Sequence, residues 1–296
     1  MAKLSTENRN LLKGLAFLSP WIVGFCAFTL LPIAMSLYYS FCDYSLLQKP
    51  VYCGWDNYSN LLHDALFYKV LRNSLYYAAL SLPLGLVLSL GIALLLNNRI
   101  PGQPIFRTIV FIPSLVPTVA SAVVWMWLLN SRSGMFNALL GDLHIPGPGW
   151  LTDPSWVIPS LVLMSLWGIG NTTVIYLAGL QDVPRELYEA ADLDGANALH
   201  RLIHVTLPTI SPVIFFNLVM GIIGVLQVFD APYIMTPNGG VDRSAYLLTQ
   251  YLYDSAFRDL HMGYASAIAW IQLLIVLSLT IFAFWTSRRW VHYQGK

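Results

Sequence analysis

The sequence is poor in charge. Its 296 residues include 16 Lys and Arg and 15 Asp and Glu, so charged residues make up 10% of the chain, against about 25% in an average soluble domain. So small a charged fraction cannot cover a folded chain in water, and this excludes an ordinary soluble protein. The formal net charge is only +1, which gives no indication of a nucleic-acid partner.

Catalytic and nucleotide-binding motifs are also missing. The chain has no G-x-x-x-x-G-K-S/T phosphate loop, no H-E-x-x-H and no G-x-S-x-G, the patterns that bind nucleotide, zinc or an acyl substrate. Its three cysteines, Cys26, Cys42 and Cys53, fit no metal-binding spacing. We therefore expect no enzyme and no metal site. If the protein moves a solute against its gradient, the energy has to come from another chain. Cys42 and Cys53 share a predicted outer loop, where the sequence leaves free thiols and a disulfide both open.

Apolar sequence is abundant, because 56% of the residues are hydrophobic. A helix needs about 20 apolar residues to cross the hydrocarbon core of a bilayer. Six stretches are long enough, and none of them contains Asp, Glu, Lys or Arg. They are residues 15–41, 74–96, 108–129, 156–180, 209–229 and 263–285. This separation of charge predicts an all-α polytopic membrane protein with six transmembrane helices in a single domain, residues 1–296.

The distribution of basic residues predicts the orientation. Six spans place both termini on one side of the membrane. Ten of the 16 Lys and Arg residues lie on that side, in residues 1–14, 97–107, 181–208 and 286–296. Because cytoplasmic loops carry an excess of Lys and Arg, we expect both termini to be cytoplasmic. The expected location is the lipid of a bacterial or archaeal cytoplasmic (inner) membrane.

The predicted spans carry uncharged polar residues but no Asp, Glu, Lys, Arg or His. Proton- and ion-coupled carriers usually place ionisable groups inside their spans, so their absence speaks against such a carrier. The polar residues in the spans include Asn171, Thr172, Thr173, Tyr176, Asn217, Gln227 and Gln272. Amides and hydroxyls in hydrocarbon need hydrogen-bond partners. They either join helices to one another or line a path for a hydroxyl-rich solute, and the sequence leaves both possibilities open.

The longest predicted cytoplasmic loop is residues 181–208, QDVPRELYEAADLDGANALHRLIHVTLP. Its composition predicts a short helix, a turn and a second helix outside the bilayer. Ala191 and Gly195 are four residues apart, so on one helix they share a face and allow another backbone to approach closely. Leu187 and Tyr188 add contact area. The pattern predicts a segment that docks onto another protein.

The spacing of this loop resembles a known motif. Glu189-Ala190-Ala191, three residues, Gly195, nine residues and then Val205-Thr206-Leu207-Pro208 resemble the EAA loop of binding-protein-dependent ABC importer permeases. The form LYEAADLDGA is similar to the maltose/multiple-sugar class, which includes glycerol-phosphate permeases. Residues 227–240 and 263–277 resemble the same class. Val205 stands where the family has Ile, and Leu202 stands where the class often has Phe.

The resemblance implies a type I ABC importer permease, with one six-helix chain forming half of the pore for a sugar, oligosaccharide or related polyol. It also implies partners: a second homologous permease, an ATPase dimer that uses ATP and Mg, and an extracytoplasmic solute-binding protein. The EAA loop then docks in a cleft of the ATPase, and the residues implied in that coupling are Leu187, Glu189, Ala190, Ala191, Asp194 and Gly195. The alternative is a self-contained secondary carrier or channel for a small polar solute.

The resemblance also implies a solute path, since sugar permeases contact their solute from the fourth and fifth spans. By local match, the positions in those contact regions are Gly168, Asn171, Val225, Leu226 and Phe229. Leu226 is apolar where some relatives have an amide, so the partner permease is a second candidate for holding the solute. Gln227 and Asp230 lie close by, and either solute contact or helix packing is open for them.

Overall fold

The structure is a computed structural model, and it describes residues 6–98 and 101–292. Regular structure there is almost entirely helical, as the composition predicts. The helices before residue 150 are α1 (Thr6–Phe25), α2 (Leu31–Ser40), α3 (Asp56–His63), α4 (Ala65–Asn97), α5 (Gln103–Leu115), α6 (Thr118–Leu128) and α7 (Met135–Asp142). The later helices are α8 (Pro154–Trp167), α9 (Gly170–Gln181), α10 (Arg185–Leu193), α11 (Ala198–Arg201), α12 (Leu207–Thr209), α13 (Ser211–Leu226), α14 (Asp230–Met235), α15 (Leu248–Tyr253) and α16 (Met262–Ser287).

Shorter elements connect these helices. Three π-helical segments, Cys26–Leu30, Leu202–Thr206 and Asp254–Arg258, join consecutive helices. Strands β1 (Cys42–Asp43) and β2 (Val51–Tyr52) pair antiparallel. The chain divides into two compact units, one made of the residues up to 64 with 252–271, the other of 65–251 with the residues from 272 onwards. A single permease domain over residues 1–296 stays a prediction.

Four helices in the described part of the chain are long and apolar enough to cross a membrane. They are Lys13–Ser40, Ala65–Asn97, Ser211–Met235 and Met262–Ser287. Two further candidates are bent pairs, α5 with α6 at 98° and α8 with α9 at 50°. If each pair is one span, the number is six. The predicted stretches 108–129 and 156–180 are therefore broken helices rather than continuous ones.

Proline and its neighbour explain the sharper of the two bends. Val116 is extended, with φ −75° and ψ 129°, because the ring of the following proline disfavours the helical conformation in the residue before it. Pro117 then caps the start of α6. The α-helical ladder cannot continue through this pair, so one apolar stretch gives two helices.

In the first unit, one asparagine organises the segment after α2. The buried Asn57 amide donates to the backbone oxygens of Ser40 and Cys42, at 3.0 and 2.9 Å. Cys42 and Cys53, for which a disulfide was one of two open possibilities, are both free thiols. Burial, and then the carboxylate of Asp56, raise the pKa of the Cys53 thiol.

In the second unit, α4 packs against α8, α9 and α13. Lipid is as apolar as these side chains, so close packing and interhelical hydrogen bonds hold such helices together. A Cβ at Gly170 would lie 2.7 Å from the Ser114 Oγ and 2.8 Å from the Val110 carbonyl oxygen. The missing side chain therefore lets α9 approach α5 closely.

A hydrogen bond from α4 fixes the chain after α14. The amide of the buried Asn73 donates to the carbonyl oxygens of Arg243, at 2.9 Å, and Tyr246, at 3.2 Å. Lys69 also pairs with Asp242 at 3.2 Å. These contacts hold a segment in which Asp242 and Arg243 both have positive φ.

Candidate functional site

Two adjoining cavities lie in the second unit, the smaller among α4, α5, α6, α8, α9 and α14 and the larger among α4, α9 and α13. Their volumes are about 240 and 430 Å³. Tyr77, Asn171 and Val228 line both of them. Because three residues are shared, the two cavities are neighbouring parts of one internal space.

The helix breaks border this space. Val116, at the break between α5 and α6, and Gly168, between α8 and α9, line the smaller cavity, and Ile169 lines the larger. Non-helical backbone at membrane depth is tolerated where it is buried in protein or lines a water-filled cavity. The breaks therefore lie where surrounding protein or the internal space can satisfy their free backbone groups.

The lining combines uncharged polar side chains with a larger number of apolar ones. Its hydroxyl and amide side chains are those of Tyr77, Ser81, Ser114, Thr118, Ser121, Ser165, Asn171, Thr172 and Asn217. Of the described residues that line the two cavities, none is Asp, Glu, Lys or Arg. The Ser81 and Ser165 hydroxyls lie 3.2 Å apart. Such groups both donate and accept hydrogen bonds, which suits a neutral solute rich in hydroxyls.

The structure places three of the predicted path residues in this lining. Gly168 and Asn171 line the smaller cavity, and Asn171 and Val225 line the larger. Leu226 is buried in an apolar cluster with Phe215 and Val276. Its carbonyl oxygen accepts a hydrogen bond from the Gln272 amide at 2.8 Å. This bond satisfies one of the free backbone carbonyls at the end of α13.

The other predicted path residues are not among those that line the two cavities. Gln227 and Asp230 are exposed, and Asp230 begins α14. Phe229 stacks on Tyr233 with ring centroids 4.9 Å apart. Solute contact at these three positions stays a prediction, as it does at Gly168, Asn171, Val225 and Leu226.

Sequence reasoning missed Tyr77, Ser81, Ser165 and Val228 as lining residues. Tyr77 and Ser81 are four residues apart on α4, so they share a face of that helix. A tyrosine and a serine at this spacing inside an apolar stretch are a signal that the sequence did contain. Val228 gave no comparable signal, because a valine in an apolar stretch is unremarkable.

The predicted docking segment contains a short exposed helix, α10, in which no residue is buried. Two contacts tie it to the chain that follows. The Tyr188 and Thr206 hydroxyls lie 3.0 Å apart, and Arg201 pairs with Asp192 at 2.7 Å. Leu187 and Leu193 are nevertheless exposed, Leu193 by 91%. The helix is held in place but leaves its apolar side chains without cover from this chain.

Gly195 lies just beyond the end of α10 rather than on one of its faces. The helix ends at Leu193, so Gly195 lies beyond it, and the prediction that Ala191 and Gly195 share a helical face is wrong. Gly195 has φ +74°. Its N–H donates to the Asp192 carbonyl at 3.1 Å, and the Ala196 N–H donates to that of Ala191 at 2.9 Å. This pair of bonds around a left-handed glycine is a Schellman motif, which satisfies the free carbonyls of a helix end.

The remaining residues expected in the docking contact lie on the same segment. Glu189, Ala190 and Asp194 are exposed, and Ala191 is half-buried. We call these residues, together with Leu187, Leu193 and Gly195, the α10 surface. Its contact with an ATPase stays a prediction. Sequence reasoning did not include Leu193, which is the most exposed leucine on it.

Comparison with known proteins identifies a family. Residues 81–292, more than two thirds of the chain, match the model of a family described as "Binding-protein-dependent transport system inner membrane component". The EAA-like segment and both bent helix pairs fall within the matched range. The match therefore covers most of the elements described above.

Individual relatives match over nearly the whole chain. The probable ABC transporter permease protein YesP of Bacillus subtilis is 38% identical over 100% of this chain and 97% of its own length. The lactose transport system permease protein LacF of Rhizobium radiobacter is 31% identical over 96% and 99%. One solved structure is also similar, the crystal structure of a bacterial ABC transporter involved in the import of the acidic polysaccharide alginate. A chain of that transporter is 26% identical to this one, with a TM-score of 0.81. The match covers 95% of this chain and 96% of the transporter chain.

Proposed function

This chain belongs to the family of binding-protein-dependent transport system inner membrane components, and we propose that it forms half of a translocation pore that a second, homologous permease completes. It is a permease subunit of an ATP-driven ABC importer and an integral membrane protein. It is a transport component, and ATP hydrolysis belongs to a separate partner subunit.

The exposed α10 surface is the observation that carries the proposed mechanism. Burying a leucine side chain is worth roughly 1.5–3 kcal/mol relative to leaving it in water. Leu187 and Leu193 leave that free energy unused in this chain, so a partner protein that covers them gains it. We assign this partner to the ATPase, whose closure on ATP moves α10 and, through α9, the walls of the central space.

A substitution at the most exposed leucine tests this assignment. Leu193→Asp should remove the ATPase from the affinity-purified complex, because a carboxylate replaces an apolar contact. The folded chain should keep its thermal stability, since Leu193 is 91% exposed. Leu143→Asp is the matched control, a leucine that is 68% exposed in the predicted outer loop. Retention of the ATPase by Leu193→Asp would remove the α10 surface from the contact.

The membrane topology we propose has six spans with both termini in the cytoplasm. The excess of Lys and Arg on that side supports it, and the two bent helix pairs account for the third and fourth spans. Residues 181–208 then lie in the cytoplasm beside the ATPase. The segments 42–73, 130–155 and 230–262 face outward, where a solute-binding protein delivers the solute.

The proposed solute is a neutral sugar, oligosaccharide or polyol. The uncharged lining of the central space supports this, because hydroxyls and amides can replace the hydration of such a solute without a fixed charge. The relative named for lactose transport supports the same class. Thermal-shift titration of the partner binding protein with neutral sugars, polyols and sugar acids tests it. Stabilisation by sugar acids alone would contradict a neutral solute.

A self-contained secondary carrier is the alternative, and an uptake assay separates the two. Uptake should persist when the proton gradient is collapsed while ATP is maintained. Loss of uptake under that condition would favour coupling to the ion gradient. The uncharged lining of both cavities speaks against such coupling, because carriers of that kind usually need ionisable groups within their spans.

A further inference from the structure

A third cavity lies near the start of α5 and the end of α9. Its volume is about 220 Å³, enough for about seven water molecules at liquid density. The described residues that line it are Leu96, Arg107, Val110, Thr173, Val174, Leu177, Ala178 and Gln181. None of them lines either of the two central cavities, so this is a separate site.

Among the residues that the structure describes, the cation in this cavity has no counter-ion. The Arg107 Nε is buried and has no hydrogen-bond partner. Within residues 6–98 and 101–292, the Arg107 guanidinium makes no ion pair. No carboxylate lines the cavity either. A partly buried, unpaired charge is costly, and such groups normally have a charged or strongly hydrogen-bonding partner.

The other polar groups of the lining add little charge compensation. The Thr173 hydroxyl already donates to the Ile169 carbonyl at 3.0 Å. Gln181 contributes an amide, and the remaining side chains are apolar. The cavity therefore offers one positive charge and one amide against apolar walls, a combination that favours an anion with a single negative charge attached to an apolar body.

We propose that this cavity binds the phosphodiester group of an anionic membrane phospholipid, with the Arg107 guanidinium as its charge partner. A phosphodiester carries one negative charge, which matches one guanidinium, and two of its oxygens can accept a bidentate pair of N–H bonds. Inorganic phosphate carries more negative charge at neutral pH, and the described residues of the lining include no second cation for it. A zwitterionic head group brings an ammonium, and the cavity supplies no carboxylate for that group.

The surroundings of the cavity suit a lipid. Arg107 directly precedes the apolar stretch 108–129, which places it at the level of lipid head groups. On α5, Ile105, Phe106 and Ile109 are exposed, so an apolar surface for acyl chains lies next to the cationic cavity. Basic pockets between membrane helices are known binding sites for anionic head groups.

Native mass spectrometry of the intact transporter, purified in mild detergent, tests the proposal. Phosphatidylglycerol, phosphatidylethanolamine and inorganic phosphate are each added to separate samples. The Arg107→Gln complex should retain about tenfold less phosphatidylglycerol than the wild type, the effect of losing one charge-assisted hydrogen-bond pair. Arg288→Gln is the matched control, because Arg288 is an exposed cation at the end of α16 that could attract lipid only through its charge.

A second variant keeps Arg107 in place. Ala178→Leu fills the cavity from the α9 side and should lower phosphatidylglycerol retention to a similar extent, even if Arg107→Gln fails to assemble. Equal retention by the wild type, Arg107→Gln and Ala178→Leu would overturn the proposal. Displacement of the lipid by inorganic phosphate would overturn it in favour of a free-anion site, and equal retention of phosphatidylethanolamine would overturn the preference for an anionic head group.

Discussion

Gly195 offers the sharpest test of the α10 surface, because two explanations of the glycine predict opposite orders of activity. Its φ of +74° is a conformation in which most residues with a Cβ are strained, by roughly 1–2 kcal/mol. Asparagine adopts it more readily than alanine does. A Cβ placed on Gly195 has no neighbour within 4 Å, so within this chain the constraint is conformational rather than spatial.

The magnitude follows from the strain. About 1 kcal/mol lowers the ratio of capped to frayed α10 ends by about fivefold. Frayed ends displace the Ala191 and Asp192 carbonyls from their partners and loosen the α10 surface. We therefore expect ATP-driven uptake to fall in the order glycine, asparagine, alanine.

The assay is the initial rate of ATP-driven uptake into vesicles that contain the assembled transporter, with the amount of inserted chain determined for each variant. Gly195→Asn should retain more activity than Gly195→Ala. If the glycine instead makes room for a partner, the smaller alanine should be tolerated better than asparagine. The order glycine, alanine, asparagine would therefore refute the conformational account.

Three further predictions concern other contacts. Gly170→Ala should lower the melting temperature of the detergent-solubilised chain, because the added methyl lies under 3 Å from atoms of α5, whereas Gly91→Ala, with nothing within 4 Å, should leave it unchanged or raised. Asn73→Leu should lower the free energy of unfolding by about 2 kcal/mol, since two backbone carbonyls lose their donor; an unchanged melting temperature would contradict this. The raised pKa of Cys53 lowers the fraction of thiolate at a given pH. Labelling by an impermeant maleimide added from outside should therefore rise with pH through a midpoint above that of a free thiol. A midpoint at or below that of a free thiol would be inconsistent with the raised pKa.

The helical class and the extent of the apolar stretches follow from the sequence because the cost of placing charge in hydrocarbon dominates every other local preference. The breaks at Val116 and Gly168 do not follow as directly. Pro117 lies within its apolar stretch, but a proline in a membrane helix can produce a kink or a full break, and neighbouring helices decide between them. The 98° angle at this point is therefore a property of the packing.

The residues that line the candidate site also depend on helix packing, which the sequence alone does not reveal. Asn171, for which the resemblance predicts solute contact, lines both cavities. Leu226, the last residue of α13, is instead buried against other helices. Which face of a uniformly apolar helix turns inward depends on its partners, and hydrophobic periodicity gives no information there. Gly195 is a second example of this limit. Its spacing from Ala191 indicates a shared helical face, but α10 ends at Leu193, so the two residues do not share one.

Subunit composition tests the central claim most directly. The chain would be affinity-purified from its native membrane in mild detergent, and every co-purifying subunit would be identified and quantified. We expect a second permease with its own EAA loop in equal amount and an ATPase in about twofold excess over this chain, as a two-permease pore with a pseudo-twofold axis requires. A chain that purifies alone, stably folded and active in solute uptake without any ATPase, would contradict it.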